Sequence, residues 1–214
     1  MNQRRIVFWE VDAQKDFMLP GGKLYVPGAE KIIPNIQRLV KSAADAGMLL
    51  VSSGDSHPEG DPEFKTFPPH CLRGTQGSRI ILEGMSGDFS TIPNDPAFEI
   101  PGDILSHSQI VIEKQTLDVF DNLRAGALVE RLDRDTEYVV FGVVTEYCVA
   151  CAVKGLLQRG RKVSIVKDAI ESLAPTGQGK DTLNELQALG AKLISTEEAV
   201  ARANGARPGA SLAR

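Results

Sequence analysis

The sequence is short of the features that staple, span or coat. Three of its 214 residues are cysteine, an odd count that makes no disulfide framework in a chain this long. A reducing, cytoplasmic setting is therefore expected. The formal net charge is −4, so there is no basic footprint for nucleic acid or for an anionic membrane. No apolar run approaches the ~20 residues needed to cross a bilayer. The first apolar run, from Ile6 to Val11, is short and meets charge at Glu10 and Asp12. It reads as a strand rather than as a signal peptide. Internal repeats and low-complexity segments are also missing.

What is there is an ordinary globular balance, 42% hydrophobic and 24% charged, in a length that suits one α/β domain with a sizeable core. Strand-like and helix-like runs alternate. Strands are expected at 6–11, 48–53, 110–113, 138–144, 162–166 and 192–194. Helices are expected at 29–46, 122–132, 149–159 and 180–189. A final helix is capped by Ser195, with Glu198 at its third position. Such βα repetition predicts a three-layer αβα sandwich around a central, mostly parallel sheet. Residues 1–204 read as one domain. Residues 205–214 read as a disordered tail. Residues 54–109, rich in Pro and Gly, read as an irregular insertion of functional kind.

Ligands of open parallel sheets bind beyond the carboxyl ends of the strands. At those ends the sequence places Asp12, then Asp55 and His57, then Lys114, then Cys148. Cys148 follows the apolar run Tyr138–Val144 and the short turn Thr145-Glu146-Tyr147, and opens a helix. The partial positive charge and unpaired N–H groups of a helix N-terminus favour a thiolate and can hold an oxyanion. Asp12, Lys114 and Cys148 together have the roles of a nucleophilic site: an acid to take the thiol proton and an ammonium to orient the acid. A second group is Asp55, His57 and His70, which offer three N/O ligands to a divalent metal, with Glu63 as a candidate fourth. Singly, each residue has a plain structural reading. Cys148 can be a small core residue, Asp12 a turn cap, Lys114 a solvated cation, Asp16 the partner of a nearby lysine, and His57 and His70 turn residues beside proline. His107, in a polar loop, reads as exposed. Convergence on one sheet edge is what points to chemistry.

These segments resemble the nicotinamidase branch of the isochorismatase-like cysteine hydrolases. Asp12-Ala13-Gln14-Lys15-Asp16-Phe17 is similar to the family's D-x-Q-x-D-F. Asp55-Ser56-His57-Pro58 is similar to D-x-H-P. Phe67-Pro68-Pro69-His70-Cys71 with Gly74-Thr75-Gln76-Gly77 is similar to W-P-x-H-C…G-T-x-G, and Gly142 to Val149 to G-x-x-T-D-x-C-V. The resemblance implies Cys148 as nucleophile with Asp12 and Lys114, and an oxyanion hole from the backbone N–H groups of Val144 and Cys148 beside a cis peptide at Val143–Val144. It also implies an aromatic wall of Phe17, Phe67 and Tyr147, and a divalent metal on Asp55, His57 and His70. Zinc is the first expectation for the metal, with manganese or iron as alternatives. A small-molecule amide substrate and a homo-oligomer are implied as well. The chain departs from the pattern at Ser56, Glu63, Phe67, Gln115, Glu146 and the segment Leu117-Asp118-Val119-Phe120. The expected activity is hydrolysis of nicotinamide or a related small amide to the acid and ammonia. Carbamoyl or ureido amides are the alternative. A C-x-x-C thiol–disulfide enzyme (Cys148 and Cys151) and a non-catalytic metal-binding member are readings from other classes. Neither accounts for the set Asp12, Lys114 and Cys148.

Overall fold

The computed structural model of the chain describes residues 6–173 and 177–205; the expected tail beyond residue 205 lies outside them. Its centre is a seven-stranded sheet: β1 (Ile6–Val11), β2 (Leu50–Asp55), β3 (Phe89–Ile92), β4 (Gln109–Lys114), β5 (Glu137–Val143), β6 (Lys162–Glu171) and β7 (Lys192–Ile194). The order is β3-β4-β2-β1-β5-β6-β7, and every pairing is parallel. The helices are α1 (Lys15–Met18), α2 (Ala29–Asp45), α3 (Leu123–Glu130), α4 (Ala150–Gln158), α5 (Gln178–Ala188) and α6 (Thr196–Gly205).

The central strands are buried on both faces, which is why they read as unbroken apolar runs. Successive side chains of β1 serve opposite cores. Val7, Trp9 and Val11 pack with Leu128, Val153 and Leu156 of α3 and α4. Ile6 and Phe8 pack with Ile36 and Leu39 of α2 and with Ala199 of α6. The buried stripe of α2, Ile32, Ile36, Leu39, Val40 and Ala43, follows the helical period. The expected capping box closes the start of α6: Ser195 N donates to Glu198 (2.7 Å) and Glu198 N to Ser195 Oγ (3.2 Å).

The chain runs outward from β1 through β2 and β4 in one direction, and from β5 through β6 and β7 in the other. The switch between β1 and β5 opens the crevice in which α/β sheets bind ligands. The two strands approach closely there. Gly142 pairs with Val11 at a φ of 118°, and a Cβ on it would sit 2.0 Å from the Val11 carbonyl oxygen. Only glycine fits.

Three features differ from the sequence expectation. The insertion holds an edge strand, β3, added parallel to β4. β6 runs five residues beyond Val166, to Glu171, after a register shift against β5 between Val140 and Gly142. The turn before Cys148 is itself helical, a π-helical turn over Thr145–Val149 that passes into α4. Cys148 therefore lies inside a wide first turn rather than opening an α-helix. Among the described residues, no helix is long and apolar enough to cross a membrane.

Candidate active site

Asp12 follows β1, Lys114 closes β4, and Cys148 lies in the π-helical turn after β5. The parallel register brings all three together. Lys114 Nζ is 2.9 Å from Asp12 Oδ2 and 3.5 Å from Cys148 Sγ. It approaches Asp12 Oδ2 off the hydrogen-bonding axis, so that contact is an ion pair. Asp12 is held from its other side by Ser53 Oγ, which donates to Oδ1 at 2.9 Å. The acid sits on left-handed backbone, φ 49°, a costly conformation for a side-chain-bearing residue that concentrates at functional sites. Cys71, next to His70, is the other described non-glycine residue at positive φ. The expected cis peptide is present at Val143–Val144.

Burial makes this cluster expensive, since charged groups leave water only when paired. Lys114 is 1% exposed. Burial alone would lower its pKa, but the Asp12 and Asp55 carboxylates outweigh that and hold it charged. The Asp12 pKa is raised, by burial first and then by Asp55, against the pull of Lys114. The Cys148 thiol is pushed up by burial and by the Asp12 charge. Burial thus acts against the thiolate-favouring pull expected of a helix start. Asp12 is the carboxylate beside the sulfur.

The second cluster adjoins the first through Asp55. One Asp55 oxygen, Oδ1, makes a very short contact with Lys114 Nζ. The other, Oδ2, faces His70 Nε2 at 3.3 Å and His57 Nε2 at 3.6 Å. One ligand atom from each of Asp55, His57, Glu63 and His70 falls within 4.8 Å of every other. A tetrahedral ion with bonds of about 2.1 Å separates its donors by roughly 3.4 Å, which matches both histidine distances. The outer contacts fit as well. His70 Nδ1 lies 2.8 Å from the Pro68 carbonyl oxygen, leaving Nε2 free to ligate. His57 Nδ1 lies 3.1 Å from Asp61 Oδ2, and neither ring nitrogen of this buried histidine has an aligned hydrogen bond. Outer contacts of the His70 kind orient metal-bound histidines. Burial opposes the Asp55 charge, yet Lys114, His57 and His70 hold its pKa well below the ordinary carboxylate range. The residues present fit a divalent ion.

All the sequence-predicted side chains meet here. A tight cavity of about 20 Å³ is lined by Asp12, Asp55, Glu63, His70 and Cys148, with Phe17, Phe67 and Tyr147 among its apolar walls. The Phe67 and Tyr147 rings meet edge to face at 6.0 Å, and Phe17 lies 5.3 Å from the His70 ring. Asp16 pairs with no lysine side chain; it accepts from the backbone N–H groups of Cys71 (2.8 Å) and Lys23 (3.1 Å) and so fixes the loops flanking the cavity. His107 is half-buried against Asp88 at 2.6 Å. All three cysteines are free.

Two residues of this region escape a reading for chemistry-bearing motifs. Asp61, four positions after His57, signals itself only as the end of a Pro-Glu-Gly-Asp turn. Gln14 donates to the Asp55 carbonyl (2.8 Å) and accepts from the Asp55 N–H (2.7 Å), clamping that backbone from both sides.

A parallel sheet with an acid, an ammonium and a thiol at its switch point, beside a four-ligand pocket, defines an α/β enzyme of the hydrolase class. A family model described as the isochorismatase domain matches residues 7–99 and 99–198, and the chain belongs to that family. It is 27% identical to a nicotinamidase of Acinetobacter baylyi, over 87% of this chain and 90% of that protein. It is 25% identical to a nicotinamidase of Escherichia coli, over 86% and 92%. The fold superposes with a TM-score of 0.69 and 26% identity on a Pyrococcus horikoshii pyrazinamidase in complex with zinc, covering 89% of this chain and 99% of that one. The protein is a hydrolase acting on amide bonds.

Proposed function

We propose that the protein is a cysteine-dependent amidase that converts nicotinamide, or a similarly flat, neutral carboxamide, to the acid and ammonia. The observation that carries the reading is the position of Lys114, in contact with Asp12, Asp55 and Cys148 at once. Cys148 Sγ attacks the amide carbon while its proton passes to Asp12. The raised Asp12 pKa suits a group that first accepts a proton and then returns it to the departing ammonia. Lys114 holds Asp12 in place and compensates the charge as the sulfur reacts. The N–H groups of Val144 and Cys148 receive the oxyanion. Water then hydrolyses the thioester, with Asp12 again taking the proton. Phe17, Phe67 and Tyr147 enclose the ring.

Asp55, His57, His70 and Glu63 would hold a divalent ion, zinc first among the candidates. Bound there, it supplies a Lewis-acid anchor for a ring nitrogen and for ordered water. The apolar, aromatic wall and the four-ligand set favour a ring amide over a carbamoyl or ureido substrate. An ammonia-release assay over small amides, with and without chelator, tests the reading. Release from nicotinamide that fails on chelation is expected. No release from any flat carboxamide would overturn the substrate class, and chelator-insensitive release would remove the metal.

A further inference from the structure

The reactive cavity shares the walls Glu63, Phe67 and Leu117 with a second, wider cleft of about 850 Å³. Its other ionisable walls are Asp61, Asp118 and Asp121, with Cys151. Among the described residues, no lysine or arginine lines either space. Lys114 stands behind Asp12 and Asp55 and is neutralised by them. Of the cations near the cleft, Lys154 is paired with Glu185 at 2.8 Å, Lys65 is exposed outside the lining, and Arg73 lies behind Gln115, both donating to the Ser56 carbonyl. A divalent ion would offset Asp55 and Glu63 and would leave the outer carboxylates unbalanced. Part of this wall also sets the chain apart from the pattern it resembles: Gln115, Leu117 and Asp118 all line the cleft.

We infer that this cleft is a charge filter on the route to Cys148, with Asp118 and Asp121 as specificity-determining residues. It admits neutral and cationic amides, disfavours amides that carry a carboxylate, and repels the carboxylate product as it forms. A cleft lined by one sign of charge shifts the local concentration of charged solutes, and added salt erases that effect. Neither Asp118 nor Asp121 is used by the proposed chemistry. Asp118 Oδ1 caps the Phe120 N–H (2.9 Å), and Asp121 accepts from Thr116 Oγ1 (2.7 Å). An asparagine at either position keeps an acceptor oxygen and loses the charge.

The inference rests on Cys148 as the reacting thiol, so its test reads that thiol without any amide turnover. The zinc-supplemented protein is alkylated with neutral iodoacetamide and with anionic iodoacetate, and the Cys148 peptide is followed by mass spectrometry. The ratio of the two rates is divided by the same ratio for a free small thiol. A normalised preference of about tenfold for the neutral reagent is expected at low salt, falling toward one in about 1 M salt. Asp118→Asn and Asp121→Asn should each reduce it by roughly twofold. A normalised ratio near one at low salt overturns the filter. So does a preference that neither salt nor the two substitutions move, which would mark steric rejection. A preserved preference in a protein that hydrolyses no amide would sink the amidase reading and leave the filter standing.

Discussion

Two buried polar networks cross the same three strands, and only one of them holds a cation. In mid-sheet, Ser52 Oγ donates to Glu10 Oε2 and Gln109 Nε2 donates to Ser52 Oγ, both at 2.8 Å. Gln109 Oε1 in turn accepts the Ser86 N–H. Two residues further along β1, at the strand ends, Lys114 ties Asp12 to Asp55. Glu10 and Asp12 are both buried carboxyl groups on one strand. Glu10 has no cation, and burial pushes its pKa up to about 8, so it sits in the fold as a neutral acid. Asp55, with Lys114 and two imidazoles, stays charged. The difference teaches where chemistry can reside. A neutral network ties strands together at little electrostatic cost, even with Glu10 Oε1 left without a partner. A charged one, costly to bury, is a place where a proton can be moved and an ion held.

That contrast can be broken at either network. The largest change is expected from Asp12→Asn, which keeps the shape and removes the proton acceptor. Turnover should fall by about 10³-fold, while zinc affinity, read by competition with a chelating dye, stays within about threefold. An active Asp12→Asn enzyme would place the base elsewhere. Lys114→Met comes next. It leaves two buried carboxylates facing each other without their cation, and denaturant titration should show a loss of about 3–5 kcal/mol. A neutral or stabilising result would mean that the carboxylates simply take up protons.

Glu10→Gln probes the uncharged network. Folded Glu10 keeps its proton up to about pH 8, whereas its ordinary pKa is 4.5. The folded state thus binds the extra proton between these values. The stability this provides is fully present below about pH 4.5 and is lost as the pH rises toward 8, reaching about 3 kcal/mol of loss by pH 7. The Gln variant should lose less stability over that interval, with turnover unchanged. Parallel stability–pH curves for the two proteins would contradict a neutral Glu10. The smallest effect is assigned to Asp61→Asn. Its Oδ2 faces the outer nitrogen of His57, and an amide keeps the acceptor that Oδ1 offers the Glu63 N–H (2.9 Å), so metal affinity should fall by about 10–100-fold with turnover preserved at saturating metal. Unchanged affinity would reduce Asp61 to a turn residue.

Much of the strand-end network was legible in the sequence, because parallel strands buried on both faces are unbroken apolar runs and whatever follows them gathers at one edge. Asp12, Asp55, Lys114 and Cys148 were located by that rule alone. The mid-sheet network was not legible, since Glu10, Ser52 and Gln109 meet only through register. β3 was hidden because it has four residues and a single buried one, Ile92. The far end of β6 was hidden by Lys167 and Asp168, two charged residues that interrupt its apolar pattern. The burial of the thiol was not legible either, because it comes from the surrounding core and not from the turn itself. A helix N-terminus favours thiolate, but the desolvation imposed by the surrounding core outweighs it.

The most direct test of the central claim is ammonia release by Cys148→Ala, set against wild type on the same amide, with circular dichroism and zinc content confirming that both proteins are folded and loaded. The account predicts a loss of at least about 10⁴-fold in a folded, zinc-binding protein. Turnover at the wild-type rate would contradict it, because among the described residues Cys148 is the thiol that lines the cavity with Asp12.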